Sequence, residues 1–342
     1  MAQEMKQIRL VGGGLAGLAL GIALRRHGVP VVVHEALSYP RHRVCGEFIS
    51  GVSEQTLASL GIAPFFAQVA RPQEVSWCHA EREWARFRLP EAAYAVSRFH
   101  LDQVLCEELR ALGGEVREKS RQVPQTEAGW VWSAGRRPTQ GPWIGLKAHV
   151  RDVSLRAGLE MHLGTDGYVG LVEVEDGWVN VCGLFRSDSS IRAKDEPLLL
   201  PYLRREGLMN LTERLQQGTW REGSVSAVAG FRLGGQPPLA NLISLGDAHS
   251  IIPPFTGNGM SMALEAAALA VEPLVDYAQG RCDWSQAQQT MAAAAQRKFG
   301  RRLGWALACQ HLLLAPWFRR PLEILSQQQL LPFHTLFTLT RR

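Results

Sequence analysis

No two of the six cysteines in the 342-residue sequence form a Cys-x-x-Cys pair, and no histidine cluster completes a zinc pattern. Cys45, Cys78, Cys106, Cys182, Cys282 and Cys309 therefore read as free thiols, the usage of a reducing cytoplasm, and no metal site is expected. No run of about 18 uninterrupted apolar residues occurs, so no transmembrane helix is expected. The polar start Met1-Ala-Gln-Glu-Met-Lys leads into a glycine-rich run that lacks the small-residue cleavage site of a signal peptide. Charge of one sign is scarce as well. Lys+Arg number 37 and Asp+Glu 32, and the resulting +5 is too scattered to argue for nucleic acid. There is no internal repeat and no low-complexity segment. What remains is an ordinary globular balance, 46% hydrophobic and 20% charged, which excludes disorder and collagen-like repetition. A chain of this length buries a large core without disulfides, as one large domain or two interleaved ones.

The first informative segment is a strand–helix–strand unit. Ile8 to Val11 is apolar, Gly12-Gly13-Gly14-Leu15-Ala16-Gly17 follows, and an Ala/Leu-rich helix runs to about His27. Gly28 ends it, and Val29 to His34 is a β-branched strand, the pattern of a parallel sheet. Gly12-x-Gly14-x-x-Gly17 sits between strand and helix. Gly12 suits the tight turn, Gly14 lets the backbone approach a pyrophosphate at the helix N-terminus, and Gly17 lets the helix pack on the sheet. Glu35 ends the second strand 18 residues after Gly17, where an acid binds adenosine ribose hydroxyls and favours NAD or FAD over NADP.

Leu101 to Leu112 reads as a further helix stopped by Gly113-Gly114. From Trp143 the texture changes. Trp143–Val150, Leu159–Leu163, Tyr168–Glu175 and Trp178–Phe185 read as four strands, with Asp166-Gly167 and Asp176-Gly177 as hairpin signals. An antiparallel sheet is thus expected as an insertion. Asn241 to Leu245 reads as a buried strand entering Gly246-Asp247, a long Ala-rich helix follows Gly259, and the last 50 or so residues read as helices.

The stretch Gly246-Asp247-Ala248-His249-Ser250-Ile-Ile-Pro253-Pro254-Phe255-Thr256-Gly257-Asn258-Gly259-Met260 is the most specific. It closely resembles the FAD-dependent monooxygenases of the para-hydroxybenzoate hydroxylase type and the related geranylgeranyl-reductase-like flavoproteins. Two further segments are similar to that superfamily: Arg41-His42-Arg43-Val44-Cys45-Gly46-Glu47, whose Cys-Gly-Glu looks more like the reductase-like branch, and Tyr94-x-Val96-x-Arg98-x-x-Leu101-Asp102. The resemblance covers almost the whole chain. It implies FAD contacts from Gly12, Gly14, Leu15, Ala16, Gly17, Glu35 and Ala36, then from Arg41, Arg43, Cys45, Gly46 and Arg98. It also implies that Asp247 binds the ribityl chain, with Gly246, Pro254, Gly257, Asn258, Gly259 and Met260 around the flavin ring. Where the superfamily usually has an Asp-Gly pair tied to FAD and NAD(P)H, this chain has Ser133-Ala134-Gly135-Arg136. NAD(P)H as electron donor is thereby put in question, and an external reductase or another donor becomes the alternative. Trp130-x-Trp132 resembles half of a flavin-dependent halogenase motif whose Ile-Pro half is absent, and reads as alternating strand residues.

The expected fold is α/β: a Rossmann-like, glutathione-reductase-like FAD domain, an inserted antiparallel-sheet substrate domain and a helical C-terminus. The FAD domain is expected over 1–70, 95–135 and 236–295, the substrate domain over 71–94 and 136–235, and the C-terminal helices over 296–342. Trp143, Gly145, Lys147 and His149 alternate on one strand face. Turned toward a substrate, Lys147 would orient an anionic oxygen and His149 would move a proton; turned to solvent, both are surface polar residues. His249 is a candidate proton relay or a loop histidine. The leading expectation is a monooxygenase acting on an aromatic or polyketide-like apolar substrate through a flavin C4a-hydroperoxide. The alternatives are a C=C reductase of an isoprenoid and a maturation or binding flavoprotein that acts on a partner protein; separately, a reductase or a carrier protein is a candidate partner. From Arg297 to Arg342 eight Lys/Arg face one acid, Glu323, a net +7 interleaved with Trp, Phe and Leu. Such a tail is a helical cap packed on the flavin domain, or it binds a membrane face or a carrier-protein partner.

Overall fold

The computed structural model describes residues 4–341 apart from 81, 137–138, 194, 238–241 and 329. β1 (Ile8–Val11) leads into α1 (Leu15–Arg26) and β2 (Val31–His34). Every residue of α1 from Leu15 to Leu24 is buried, as befits a helix held between a sheet and other helices. β3 (Glu74–His79) and β4 (Arg82–Arg88) pair as an antiparallel hairpin. α2 (Arg98–Ala111) starts where the Ser97 hydroxyl accepts from the His100 N–H, a side-chain N-cap. β5 (Glu115–Arg117) and β6 (Trp130–Trp132) follow. The second unit continues with β7 (Trp143–Arg151), β8 (Leu159–Leu163), β9 (Tyr168–Glu173), β10 (Val179–Arg186), β11 (Thr219–Trp220) and β12 (Ser226–Phe231). β13 (Ile243–Ser244) returns to the first unit; Asn241, where this strand was expected to start, lies outside the described residues. The chain ends in α3 (Gly259–Ala278), α4 (Trp284–Leu314), α5 (Pro316–Gln327) and α6 (Phe333–Leu339).

The first sheet has the order β13-β6-β1-β2-β5 and is parallel throughout. α1 and α3 share its main apolar core, which includes Ile8, Leu18, Val33, Val131 and Leu274. The second sheet has the order β11-β7-β10-β9-β8-β3-β4, with β12 also paired to β7. It is antiparallel except where β8 lies parallel to β3. β9 ends at Glu173 rather than Glu175, because Glu175–Gly177 forms a 3-10 turn with Asp176 at φ +58°.

Both faces of the second sheet are covered. Ile144, Leu146, Ala148 and Val150 of β7 join Leu199–Arg205 and Met209–Gln216, two short helices, in one apolar cluster. On the other face, Leu159, Met161 and Tyr168 join Leu313 and Leu322 of the C-terminal helices. A sheet covered on both sides has no solvated polar face, so the polar residues of β7 must find partners inside the protein.

Candidate functional site

A cavity of about 920 Å³ runs between the parallel sheet and the second sheet. At one end are Glu35, Ala36 and Ser120–Gln122, in the middle Gly12, Gly14, Arg98 and Asp247, and at the far end Leu159, Met161, Tyr168, Val228, Phe231 and Phe255.

The glycines of the first turn divide by what they touch. A Cβ on Gly12, whose φ is +103°, would lie 2.4 Å from the Ser133 carbonyl oxygen; one on Gly17 would lie 2.2 Å from the Gly12 oxygen and 2.7 Å from Ser133 Oγ. Both are required by packing of the turn and of α1. A Cβ on Gly14 would meet nothing closer than Arg98 Nη2 at 3.6 Å. No protein atom demands a glycine there, so the missing side chain leaves space for something else in the cavity. Gly17 accordingly does not line the cavity, whereas Leu15 and Ala16 do.

Glu35 sits at the end of β2, 3% exposed. Its Oε2 accepts from the Gly13 N–H at 2.9 Å and from Arg43 Nη2 at 3.3 Å, and its Oε1 from the Leu37 N–H and Arg41 Nη2, both at 3.0 Å. Four donors fill a carboxylate, so a ribose hydroxyl would bind in exchange for an arginine contact. Arg41 and Arg43 themselves line the cavity, as an anion-binding pair would. Arg98 is clamped by Asp102, Nε to Oδ1 at 2.7 Å and Nη2 to Oδ2 at 2.8 Å. Burial opposes its charge, and Asp102 outweighs burial and raises its pKa.

Asp247 follows β13 at the opposite wall. Its carboxylate is exposed to the cavity and has no hydrogen-bond partner among the described residues. Its enclosed position pushes its pKa up, against the pull of Arg98 and Arg136. An unpartnered carboxylate facing a deep cavity can accept from N–H or O–H donors of a ligand. Gly246, Pro254, Gly257, Gly259 and Met260 line the same wall, and Gly257 has φ +66°. Asn258 does not: it is fully buried, and its Nδ2 donates to the Thr340 carbonyl, because the end of the chain packs behind the loop. Trp132, Ser133, Ala134, Gly135 and Arg136 line the cavity too, at the end of β6, so the position where the superfamily's Asp-Gly was sought does face the ligand space. Trp130 stacks on His34 at 5.7 Å.

Lys147 and His149 point elsewhere. Both are fully buried and neither lines the cavity; Gly145 is the β7 residue that does. They converge on Glu47, which is also fully buried and holds φ +54°. Lys147 Nζ donates to Glu47 Oε1 at 2.9 Å, His149 Nε2 meets Oε2 at 2.6 Å, and the Arg98 N–H donates to Oε1 at 2.9 Å. Burial alone would raise the Glu47 pKa, but the His149 hydrogen bond and the Lys147 charge hold it below the ordinary value. Lys147 also reaches His42 Nδ1 at 3.3 Å, and His42 is pushed down to about 4 by burial and then by that charge. Asn180 Nδ2 on β10 donates to the carbonyls of Cys45 at 3.1 Å and Gly46 at 2.8 Å. The second sheet thus grips Cys45-Gly46-Glu47 by backbone and side chain, and Cys45 and Gly46 form cavity wall. His249 lines a separate cavity of about 420 Å³, with Nδ1 3.2 Å from Ser250 Oγ and its pKa lowered by burial.

The sequence reading gave Glu47 no role beyond its place in the Cys-Gly-Glu resemblance, and did not single out Leu159 or Met161. A charged residue wedged between Cys-Gly and Phe48-Ile49 was the available signal for Glu47. On the opposite face of the second sheet, Cys78, Glu160 and His162 bring ligand-type atoms within 4.8 Å of one another. Glu160 there already accepts from Arg214 at 2.7 Å, and His162 Nε2 lies 2.6 Å from it.

Residues 5–132 match the family model described as an FAD binding domain. The menaquinone reductase of Mycobacterium tuberculosis (strain ATCC 25618 / H37Rv) is 25% identical over 323 residues, spanning 79% of this chain and 77% of that protein. Among solved structures, p-nitrophenol 4-monooxygenase from Pseudomonas putida DLL-E4 aligns with TM-score 0.76 and 16% identity, covering 98% of this chain and 97% of that one. Klebsiella pneumoniae HpxO complexed with FAD and uric acid aligns with TM-score 0.74 and 14% identity, over 98% and 97%. These structures share the fold from end to end.

Proposed function

Taking the chain as an FAD-dependent oxidoreductase with an FAD binding domain of the para-hydroxybenzoate hydroxylase type, we propose that it reduces an uncharged, isoprenoid-like apolar substrate. The observation that carries this reading is the far end of the cavity. Leu159, Met161, Tyr168, Val228, Phe231 and Phe255 line it, while the charges expected to meet a substrate, Lys147 and His149, are turned onto Glu47. Arg136 borders this end, 5.4 Å over the Phe231 ring and paired electrostatically with Asp247, while the walls supplied by Leu159, Met161, Tyr168 and Phe255 are apolar. The relative named a menaquinone reductase supports the same direction, since a menaquinone carries an isoprenoid tail.

The cavity residues fit FAD. Glu35 with Arg41 and Arg43 would hold the adenosine and pyrophosphate end, the space left by Gly14 would admit the phosphates, and Asp247 would take the ribityl hydroxyls. FAD supplies two-electron chemistry when bound. The protein's own part is binding and exclusion. Cys45 and Gly46, gripped by Asn180, and Phe255 shape the space between cofactor and substrate ends. The Tyr168 hydroxyl accepts from the Phe255 N–H at 3.1 Å and donates to Gln310 Oε1 at 3.3 Å, tying that loop to α4. Burial raises the Tyr168 pKa, so this hydroxyl stays protonated and acts as a brace. Lys147 and His149 are positioning residues for the Cys45–Glu47 loop.

A second reading, hydroxylation of an apolar aromatic, rests on the end-to-end fold similarity to p-nitrophenol 4-monooxygenase. Single turnover of the dithionite-reduced protein with a short-chain menaquinone separates the two. Reduction predicts a product heavier by two hydrogens under nitrogen, with return of the yellow colour. A product that gains oxygen, and only after air is admitted, overturns the reductase reading in favour of the second.

A further inference from the structure

The C-terminal helices carry a feature that cofactor and substrate binding leave unexplained. On α5, Phe318, Leu322 and Ser326 follow a spacing of four and face the protein; Leu322 is 8% exposed and belongs to the apolar cluster that contains Leu159, Met161 and Tyr168. The opposite stripe is Trp317, Arg320, Pro321 and Ile324, all exposed, with Trp317 at 69% and Ile324 at 45%. Leu330, just beyond the helix, is 63% exposed. On α4, Arg301 and Trp305 are both exposed about one turn apart. Large apolar side chains rarely stand in water in such a row without a function. The accompanying exposed charge is mainly positive: Arg301 and Arg320 are exposed, whereas Arg302 and Arg341 turn inward, and Glu323 is the single acid in the sequence from Arg297 onward.

We propose that the outer face of α5, with Leu330, docks on an anionic lipid bilayer and brings the cavity to a substrate dissolved in that bilayer. Tryptophan has an apolar body and a polar N–H suited to the headgroup boundary, and arginine pairs with lipid phosphate. The charge selects lipid over a second, equally basic copy of this chain. The inner face of the same helix packs against the apolar end of the cavity, so docking places that end beside the membrane. This inference rests on the reading of an apolar, isoprenoid-like substrate.

Flotation of the full-length, FAD-loaded protein tests it without turnover, and so fails or succeeds independently of the reaction assigned. The vesicles are phosphatidylcholine alone, or phosphatidylcholine with roughly a third phosphatidylglycerol. The protein is expected to float with the anionic vesicles. A W317E/I324E double variant is expected to bind at least about tenfold more weakly, with its flavin spectrum, thermal midpoint and turnover of a water-soluble short-chain quinone unchanged. R320E is expected to fall between the two. Failure of the native protein to float with anionic vesicles, or equal flotation of the double variant, overturns the proposal. So does sedimentation showing that W317E/I324E converts a dimer to a monomer without altering vesicle binding, which would make the face a contact between two copies.

Discussion

At the end of the cavity proposed for the cofactor, charged groups and backbone amides stand at the surface of the ligand space, while at the apolar end proposed for the substrate Lys147 and His149 are drawn behind the wall and Arg136 borders it over Phe231. Glu35, Arg41, Arg43, Arg98 and Asp247 all line the cavity. Lys147, His149 and Glu47 are just as polar, yet they are fully buried and bonded to one another. Asp247 leaves acceptor capacity open for N–H or O–H donors. The Glu47 cluster closes on itself, so that the backbone of Cys45 and Gly46 and the apolar side chains of β8 and β9 form the wall. A buried ion pair adds little net stability by itself, because desolvation offsets attraction. Its effect here is to hold a loop with a left-handed Glu47 against a sheet from a different part of the chain.

The contrast can be broken most severely at the glycines. Gly17→Val places side-chain atoms where even a Cβ meets the Gly12 oxygen at 2.2 Å, so this protein is expected not to fold. Gly14→Val meets only Arg98 Nη2 at 3.6 Å, and is expected to fold while losing FAD. Circular dichroism together with flavin absorbance on purification distinguishes them, and a yellow Gly14→Val protein would remove the phosphates from that space.

Next in size is Lys147→Ala. It strands a buried carboxylate, and breaking such a pair costs about 3–5 kcal/mol. The thermal midpoint should fall by many degrees, while substrate affinity in whatever protein remains folded changes little. A variant of native stability with weakened substrate binding would return Lys147 to the cavity.

The smallest effect concerns the polar cluster on the far face of the sheet. Burial would raise the Glu160 pKa, but His162 and Arg214 hold it at about 2. A carboxyl held below its unfolded value stabilises the protein above about pH 4.5, and that contribution disappears as pH falls through about 2. It is on the order of 2 kcal/mol. Chemical denaturation across this range should show the native protein losing more stability than Glu160→Gln; parallel curves would mean that Glu160 is not held down.

Particular residues show how far the sequence could be read. β1 was expected at Ile8–Val11 and is found there; β2 starts two residues after its expected start, and α1 begins at Leu15, inside the glycine cluster it was expected to follow. Helix periodicity, β-branching and turn glycines act between neighbours in the chain, so they are visible in it. In the Gly246–Met260 loop, Gly246, Asp247, Pro254, Gly257, Gly259 and Met260 line the main cavity, whereas His249 and Asn258 do not. Asn258 is turned away by Thr340, 82 residues further on, which no local pattern announces. On β7 the alternation correctly separated Lys147 and His149 from Ile144, Leu146, Ala148 and Val150. It could not show what would cover each side.

The sequence alone therefore determined the glycine turn after β1, the strand and helix periods, and the course of the loop that carries Asp247, because each is encoded in consecutive residues whose backbone geometry and side-chain direction follow from local chemistry. Only the tertiary structure decided that Glu47 would meet Lys147 across 100 residues, that both faces of the second sheet would be covered, and that Leu159, Met161 and Tyr168 would form one wall of the cavity. A side chain's direction is set by its own strand, but its partner is set by whichever element packs against that strand, and that choice belongs to the whole chain.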